Sequence, residues 1–270
     1  MSTDFPTRYG PWALVAGAAV GLGAEYARQI AARGLALVLI DRDADPLEAT
    51  ARAIREAHGV EVRTLALDLA RPDVADAVVA ATGDIEIGLL VYNAAIGTVS
   101  PFLEISRSNV QAVIDVNCRA PLFLTHALVP PMVARGRGGV VLMSSMAGNF
   151  GAAQLTIYAA SKAFALVFAD ALWAELRGHG VDVLAVQPGQ TRTPGWQASQ
   201  PPELQGPGPH VMEPAEVVTE ALDTLGTEPT LIPGDLNRQS AQLLASLPRR
   251  QAIELMSEIT VHLIPTGRTP

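Results

Sequence analysis

The chain is short of basic residues and nearly without cysteine or lysine, and each shortage excludes something. Its 270 residues carry 19 Lys and Arg against 27 Asp and Glu, a formal charge of -8. A phosphate-binding surface needs a clustered basic excess, so nucleic acid is excluded as a partner. A single cysteine, Cys118, rules out an internal disulfide and reads as a small buried hydrophobe. That fits a reducing compartment, and a cytoplasmic protein is expected. The opening residues hold Asp4, Pro6 and Pro11 but no apolar run, which argues against a secretory leader. No stretch reaches the roughly 18 uncharged apolar residues of a membrane span. The histidines, His58, His126, His179, His210 and His262, show no paired spacing with cysteines or acids, so no metal site is expected.

Lysine is the sharpest shortage. Of the 19 basic residues 18 are arginine, and the one lysine is Lys162. Ammonium and guanidinium differ in shape, hydration and ease of pKa adjustment, so Lys162 is a candidate for chemistry that arginine cannot do. Chance retention of a surface lysine is the plain alternative.

What is present is a globular composition, 49% hydrophobic and 17% charged, at a length where one core is still the rule. A single domain over residues 1–270 is expected. Short apolar runs occur at Trp12–Ala16, Ala36–Ile40, Val62–Leu67, Ile87–Tyr92, Val140–Ser144, Val183–Gln187 and Pro229–Ile232. Helical patterns lie between them, near Leu22–Arg33, Pro46–His58, Asp73–Ala81, Asn109–Arg135, Thr156–His179 and Pro214–Leu225. Strict alternation with continuous apolar strands predicts a doubly wound α/β fold, a Rossmann-type parallel sheet of about seven strands over residues 11–234. The Pro- and Gly-rich stretch 190–213 reads as a binding loop. Two further patterns, near Leu236–Leu247 and Arg249–Ile264, form a helical C-terminal extension over 235–270.

The first run opens into Ala16-Gly17-Ala18-Ala19-Val20-Gly21-Leu22-Gly23 ahead of the first long helix. Glycines there allow a tight turn and close approach of a pyrophosphate, which the helix N-terminus favours. Asp41 ends the second run, placed to accept from adenosine ribose hydroxyls and to repel a 2′-phosphate, which favours NAD. Arg42 could pair with that phosphate, so NADP stays open. Asp68 ends the third run as an adenine neighbour or a helix N-cap.

Tyr158 and Lys162 are four apart in a helical pattern and so share a face. A phenol is a poor base at neutral pH, but a nearby ammonium favours its phenolate and suits it to acid/base work on a hydroxyl. An aromatic packed on the core beside an exposed lysine is the plain alternative.

Gly17-x-x-x-Gly21-x-Gly23, Tyr92-Asn93-Ala94-Ala95, Asn117, Ser145, Tyr158-x-x-x-Lys162 and Pro188-Gly189 resemble, in order and spacing, the motifs of the short-chain dehydrogenases/reductases. The resemblance covers about Pro11 to Gly234. It implies Tyr158 as general acid/base, with Lys162 lowering its pKa and holding the nicotinamide ribose. It also implies Ser145 on the substrate oxygen and Asn117 keeping a water on the proton path behind Lys162. Ser144 rivals Ser145, and the thirteen-residue interval to Tyr158 favours Ser145. The same resemblance places the cofactor on Gly17, Ala19, Gly21, Leu22 and Gly23, on Asp41 or Arg42, on Asp68 and Leu69, on Asn93, Tyr158 and Lys162, and on Pro188, Gly189, Thr191 and Thr193. Ala16, Tyr92 and Ala95 depart from the usual Thr, Asn and Gly, which bears on turn support more than on chemistry.

The resemblance thus implies an oxidoreductase moving a hydride between NAD(H) and a secondary alcohol or ketone, with NADP possible. Ile96, Met146, Phe150 and Trp196 suggest a hydrophobic, lipid- or steroid-like substrate. A carrier-bound β-ketoacyl reductase using NADPH is the second expectation, and a non-catalytic nucleotide-binding sensor the third. The extension could cap the pocket, join a subunit interface or touch a membrane. The resemblance also implies a homodimer or homotetramer.

Overall fold

In the computed structural model of the chain, which describes residues 5–199 and 211–263, each apolar run forms a strand. These are β1 (Trp12–Ala16), β2 (Ala36–Asp41), β3 (Val62–Ala66), β4 (Ile87–Tyr92), β5 (Gly138–Met143), β6 (Val181–Val186) and β7 (Thr230–Leu231). They pair in parallel, in the order β3-β2-β1-β4-β5-β6-β7. The direction of winding reverses between β1 and β4, and the carboxyl ends there open the crevice where such sheets bind ligands.

The central strands are largely apolar because both faces are covered, whereas the edge strand β3, with Arg63 and Thr64, is only half-buried. Along β1, Ala13 and Val15 face one core with Tyr26, Ile30, Leu39, Leu47 and Val218, while Trp12, Leu14 and Ala16 face the other with Leu90, Leu124, Met132 and Ala169. The first core lies under α2 (Gly21–Ala32), α3 (Ala44–His58) and α9 (Pro214–Thr224). The second lies under α4 (Val74–Thr82), α6 (Ala120–Arg135) and α7 (Thr156–Leu176).

The structure departs from the expected elements in three places. The helix expected over Asn109–Arg135 is continuous but changes register inside: α5 (Arg107–Ile114) passes through a π turn at Asp115–Arg119 into α6. A short N-terminal helix, α1 (Phe5–Tyr9), plugs the amino end of the sheet through Arg8 and Tyr9, both bonded to Asp182 of β6. Within the expected loop, α8 (Pro194–Ser199) forms, and Thr191 bridges to Met212. The extension is α10 (Asp235–Ser246) and α11 (Arg249–Leu263). Loop residues 200–210 with His210, the stretch 264–270, and Asp4 lie outside the described residues.

Two helical stretches, Arg107–Arg135 and Thr156–His179, are long and apolar enough to cross a membrane by length and composition. The sequence count missed them because it allowed no charged residue. Both pack on the sheet, and of their most apolar windows 50% and 28% respectively is buried inside this chain. The apolarity of α7 therefore exceeds what its own core uses.

Candidate active site

The turn between β1 and α2 is shaped by close approach. Gly17 has φ +81°, and a Cβ on it would lie 2.7 Å from the Ala94 backbone. A Cβ on Gly23 would lie 1.8 Å from the Gly17 carbonyl, so helix and turn meet only because both residues are glycine. Gly17 N–H donates to the Ile40 carbonyl at 2.8 Å, and Asn93 Nδ2 donates to the Gly17 carbonyl at 2.9 Å. Asn93 therefore braces the turn from the end of β4. No side chain caps α2, whose first amides at Gly21, Leu22 and Gly23 stand at the strand ends. Uncapped amides at a helix N-terminus are an anion cradle, and the residues present fit the pyrophosphate of a dinucleotide.

Asp41 ends β2 beside this turn, with Oδ2 accepting from Ala19 N–H at 3.0 Å. Thr50 Oγ1 donates to the Ala19 carbonyl at 2.8 Å. Asp41 is thus a brace as well as a ribose candidate. The Arg42 side chain is 70% exposed and lies 3.9 Å from Asp43, so nothing fixes it at the adenosine site. Asp68 does not cap α4, which begins at Val74 behind Asp73; its Oδ1 accepts from Ala70 N–H at 2.9 Å in a local turn. Leu69 is buried beside it.

Across the crevice, Tyr158 and Lys162 share the face of α7 that meets the end of β5. Lys162 is 5% exposed, and its Nζ donates to the Met143 carbonyl at 2.8 Å and lies 5.7 Å from the centre of the Tyr158 ring. Burial pulls Lys162 down to about 8, against a smaller opposing effect of Cys118. Burial pushes the Tyr158 phenol up, and a hydrogen bond with Ser145 pulls it partly back. Burial thus disfavours the charged form of each group, offset in part by Ser145 at the phenol and by Cys118 at the ammonium.

Ser145 and Ser144 are separated by the structure. Ser144 is 2% exposed and donates its Oγ to the Lys162 carbonyl at 2.7 Å, anchoring α7 to β5. Ser145 starts the short turn Met146–Gly148, where its Oγ accepts from Ala147 N–H at 3.2 Å on the Tyr158 side. Asn117 sits in the π turn, 4% exposed. Its Oδ1 accepts from Ile96 N–H at 2.8 Å, while Nδ2 donates to the Ile96 carbonyl at 3.0 Å and to Ser161 Oγ at 2.9 Å. Both Nδ2 hydrogens are used, so what Asn117 offers to anything behind Lys162 is its backbone and the second lone pair of Oδ1.

The Pro188-Gly189 turn follows β6, and the Pro188 carbonyl accepts from Met146 N–H at 3.2 Å, joining it to the Ser145 segment. Thr191 is 6% exposed and donates to the Gly189 carbonyl, inside the turn. Thr193 lies over Gly21, its Cβ 3.2 Å from where a Cβ on that glycine would stand. It therefore faces the phosphate turn rather than the Ser145 side.

Several neighbours had no sequence signal. Asn237 of α10 packs on Gly189 and donates to the Pro233 carbonyl at 2.9 Å. Met256 of α11 packs on an apolar cluster of Val99, Ala152, Leu155 and Ala159, which Tyr158 and Ala147 also join. Ser257 Oγ accepts from Ala153 N–H at 3.0 Å. Of the three roles open to the extension, α11 takes one within this chain, covering the segment between Ser145 and Tyr158.

Comparison with known proteins agrees with this geometry. Residues 11–204 match the short chain dehydrogenase family. A 7β-hydroxysteroid dehydrogenase of Collinsella aerofaciens is 33% identical over 235 residues, covering 86% of this chain and 89% of its own. A solved 7β-hydroxysteroid dehydrogenase structure superposes with a TM-score of 0.87 at 31% identity, over 94% of this chain and 99% of the other. A short-chain dehydrogenase of Sphingobium yanoikuyae solved with NADPH superposes with a TM-score of 0.76 at 32% identity, over 89% and 97%. With a dinucleotide cradle on one side of the crevice and a half-buried phenol beside a buried ammonium on the other, the chain belongs to the short-chain dehydrogenase family, as an NAD(P)-dependent oxidoreductase acting on CH–OH groups.

Proposed function

We propose that the chain interconverts a bulky hydrophobic secondary alcohol, of steroid-like size and shape, and its ketone, with NAD(H) preferred. The carrying observation is the apolar cluster of Val99, Ala152, Leu155 and Ala159, with Met256 upon it, at the half-buried phenol of Tyr158. A largely apolar wall with two converging hydroxyls suits an alicyclic carbinol. The 7β-hydroxysteroid dehydrogenase relatives support the same class. The preference for NAD rests on the Asp41 carboxylate beside the turn and the exposed side chain of Arg42.

When bound, the nicotinamide supplies or accepts the hydride. Ser145 Oγ holds the substrate oxygen, and Tyr158 Oη takes the carbinol proton in oxidation and returns it in reduction. Lys162, with a pKa near 8, is mostly ammonium at neutral pH and stabilises the phenolate that burial alone would suppress. Asn117 fixes the Ile96 segment on the substrate side and Ser161 on α7. Tyr158→Phe is expected to lower kcat at least about a hundredfold, the lower end for a lost acid/base, with cofactor affinity within twofold of wild type. Retention of most activity would overturn the assignment.

We infer further that the chain forms a homo-oligomer through the outer faces of α6 and α7, where Leu122, Phe123 and Val167 are exposed. Light scattering tests this, with Val167→Glu expected to give the monomer. A monomeric wild type at micromolar concentration would reject it.

A further inference from the structure

Tyr92 ends β4, where the family pattern has Asn, and takes no part in the chemistry just described. It is 4% exposed. A buried tyrosine hydroxyl needs a partner. This one donates to the Val116 carbonyl at 2.5 Å, reaching from the sheet into the π turn. There the ladder widens, with Ala120 N–H bonded to the Asp115 carbonyl five residues back, and a widened ladder leaves a carbonyl without its usual donor.

Bonds continue from that turn into the site. Asn117, the next residue, donates to Ser161 Oγ at 2.9 Å, and Ser161 Oγ donates to the Tyr158 carbonyl at 2.8 Å. Tyr92, Asn117, Met143, Lys162 and Ala165 also line a small cavity of about 10 Å³, the size of one water. The titratable groups facing Lys162 are Tyr158 on its own helix, Cys118 on the π turn and Tyr92 on β4.

We propose that Tyr92 is a positioning residue: its hydroxyl holds the π turn at Val116, so that Asn117 stays bonded to α7 and the cavity behind Lys162 stays open. The idea rests on the roles given above to Tyr158 and Lys162. Without that hydroxyl the turn is free to tighten toward a regular helix, shifting Asn117 and drying the space behind the ammonium. A drier Lys162 supports the Tyr158 phenolate less.

The test is Tyr92→Phe, which deletes one oxygen, assayed in alcohol oxidation at saturating cofactor. We expect kcat to fall about tenfold with KM for alcohol and cofactor within twofold, as for a small misplacement of the reacting groups. The limb on which kcat rises with pH is expected to move up by about one pH unit. Ala165→Val fills the cavity from α7 and leaves the Tyr92 bond intact; it should move the limb the same way, and it decides the matter if Tyr92→Phe does not fold. A lower melting temperature with unchanged kcat and pH profile would make Tyr92 merely structural and overturn the proposal. So would wild-type behaviour of Ala165→Val. An active Tyr158→Phe would sink the acid/base reading itself, whereas an inactive Tyr158→Phe beside a normal Tyr92→Phe sinks only this inference.

Discussion

Lys162 is needed as a cation yet buried, and the fold should be measurably destabilised by it. Its pKa falls from 10.5 to about 8, chiefly through burial. A folded-state pKa below the unfolded one means that between pH 8 and 10.5 the unfolded chain binds a proton that the folded chain does not. Stability attributable to this group therefore rises with pH across that window, and the full penalty is present below it. At 1.36 kcal/mol per pH unit the gap amounts to about 3 kcal/mol. Lys162→Met removes the charge and keeps most of the volume, but it strands the Met143 carbonyl that now accepts from Nζ at 2.8 Å. An unpaired buried carbonyl costs about 1–3 kcal/mol. The variant is thus expected to equal or exceed wild-type stability by up to about 2 kcal/mol at pH 7, and to fall below it near pH 10.5. Urea unfolding of cofactor-free protein at pH 7, 8.5 and 10, read as the difference between variant and wild type, isolates the effect. Tyrosines other than Tyr158 that ionise in this range cancel in that difference. A stability difference that stays constant from pH 7 to 10 would refute the claim that burial depresses Lys162.

Three further outcomes follow from particular contacts. Gly17→Ala places a Cβ 2.7 Å from the Ala94 backbone at φ +81°, so cofactor affinity should drop at least about tenfold, measured by NADH fluorescence titration. Asp41→Gly removes the carboxylate that accepts from Ala19 and should shift preference toward NADP(H), read from the ratio of kcat/KM for the two cofactors; an unchanged ratio would clear Asp41 of that role. Asp182→Ala takes the partner from Arg8 and one of two partners from Tyr9, and should destabilise the fold by about 1–3 kcal/mol with little effect on kcat, read by urea unfolding and steady-state kinetics.

Much of this was legible in the sequence because it is local. Each strand fell within or beside its predicted run, most plainly in the central strands, where burial on two faces writes itself into consecutive apolar residues. The face shared by Tyr158 and Lys162 is a consequence of helical spacing alone. The π turn within the long helix was not legible: the pattern over Asn109–Arg135 reads as a regular helix, and the bonds of Tyr92 and Ile96 to consecutive residues of the turn come from strands and loops far off in the chain. Asp68 failed as an N-cap for a related reason, since the helix begins farther on and the carboxylate closes its own turn first.

The sequence by itself determined the alternation of strand and helix, the glycine turn, and the order of the phenol, the ammonium and their serine. These depend on periodicity and on backbone allowances that neighbouring residues set. Only the tertiary structure decided that Ser144 ties α7 to β5 while Ser145 turns toward Tyr158, where Asn117 spent its amide hydrogens, and that Met256 of α11 reaches the cluster around Tyr158. Those outcomes depend on contacts between residues far apart in the chain, and such contacts leave no period to read.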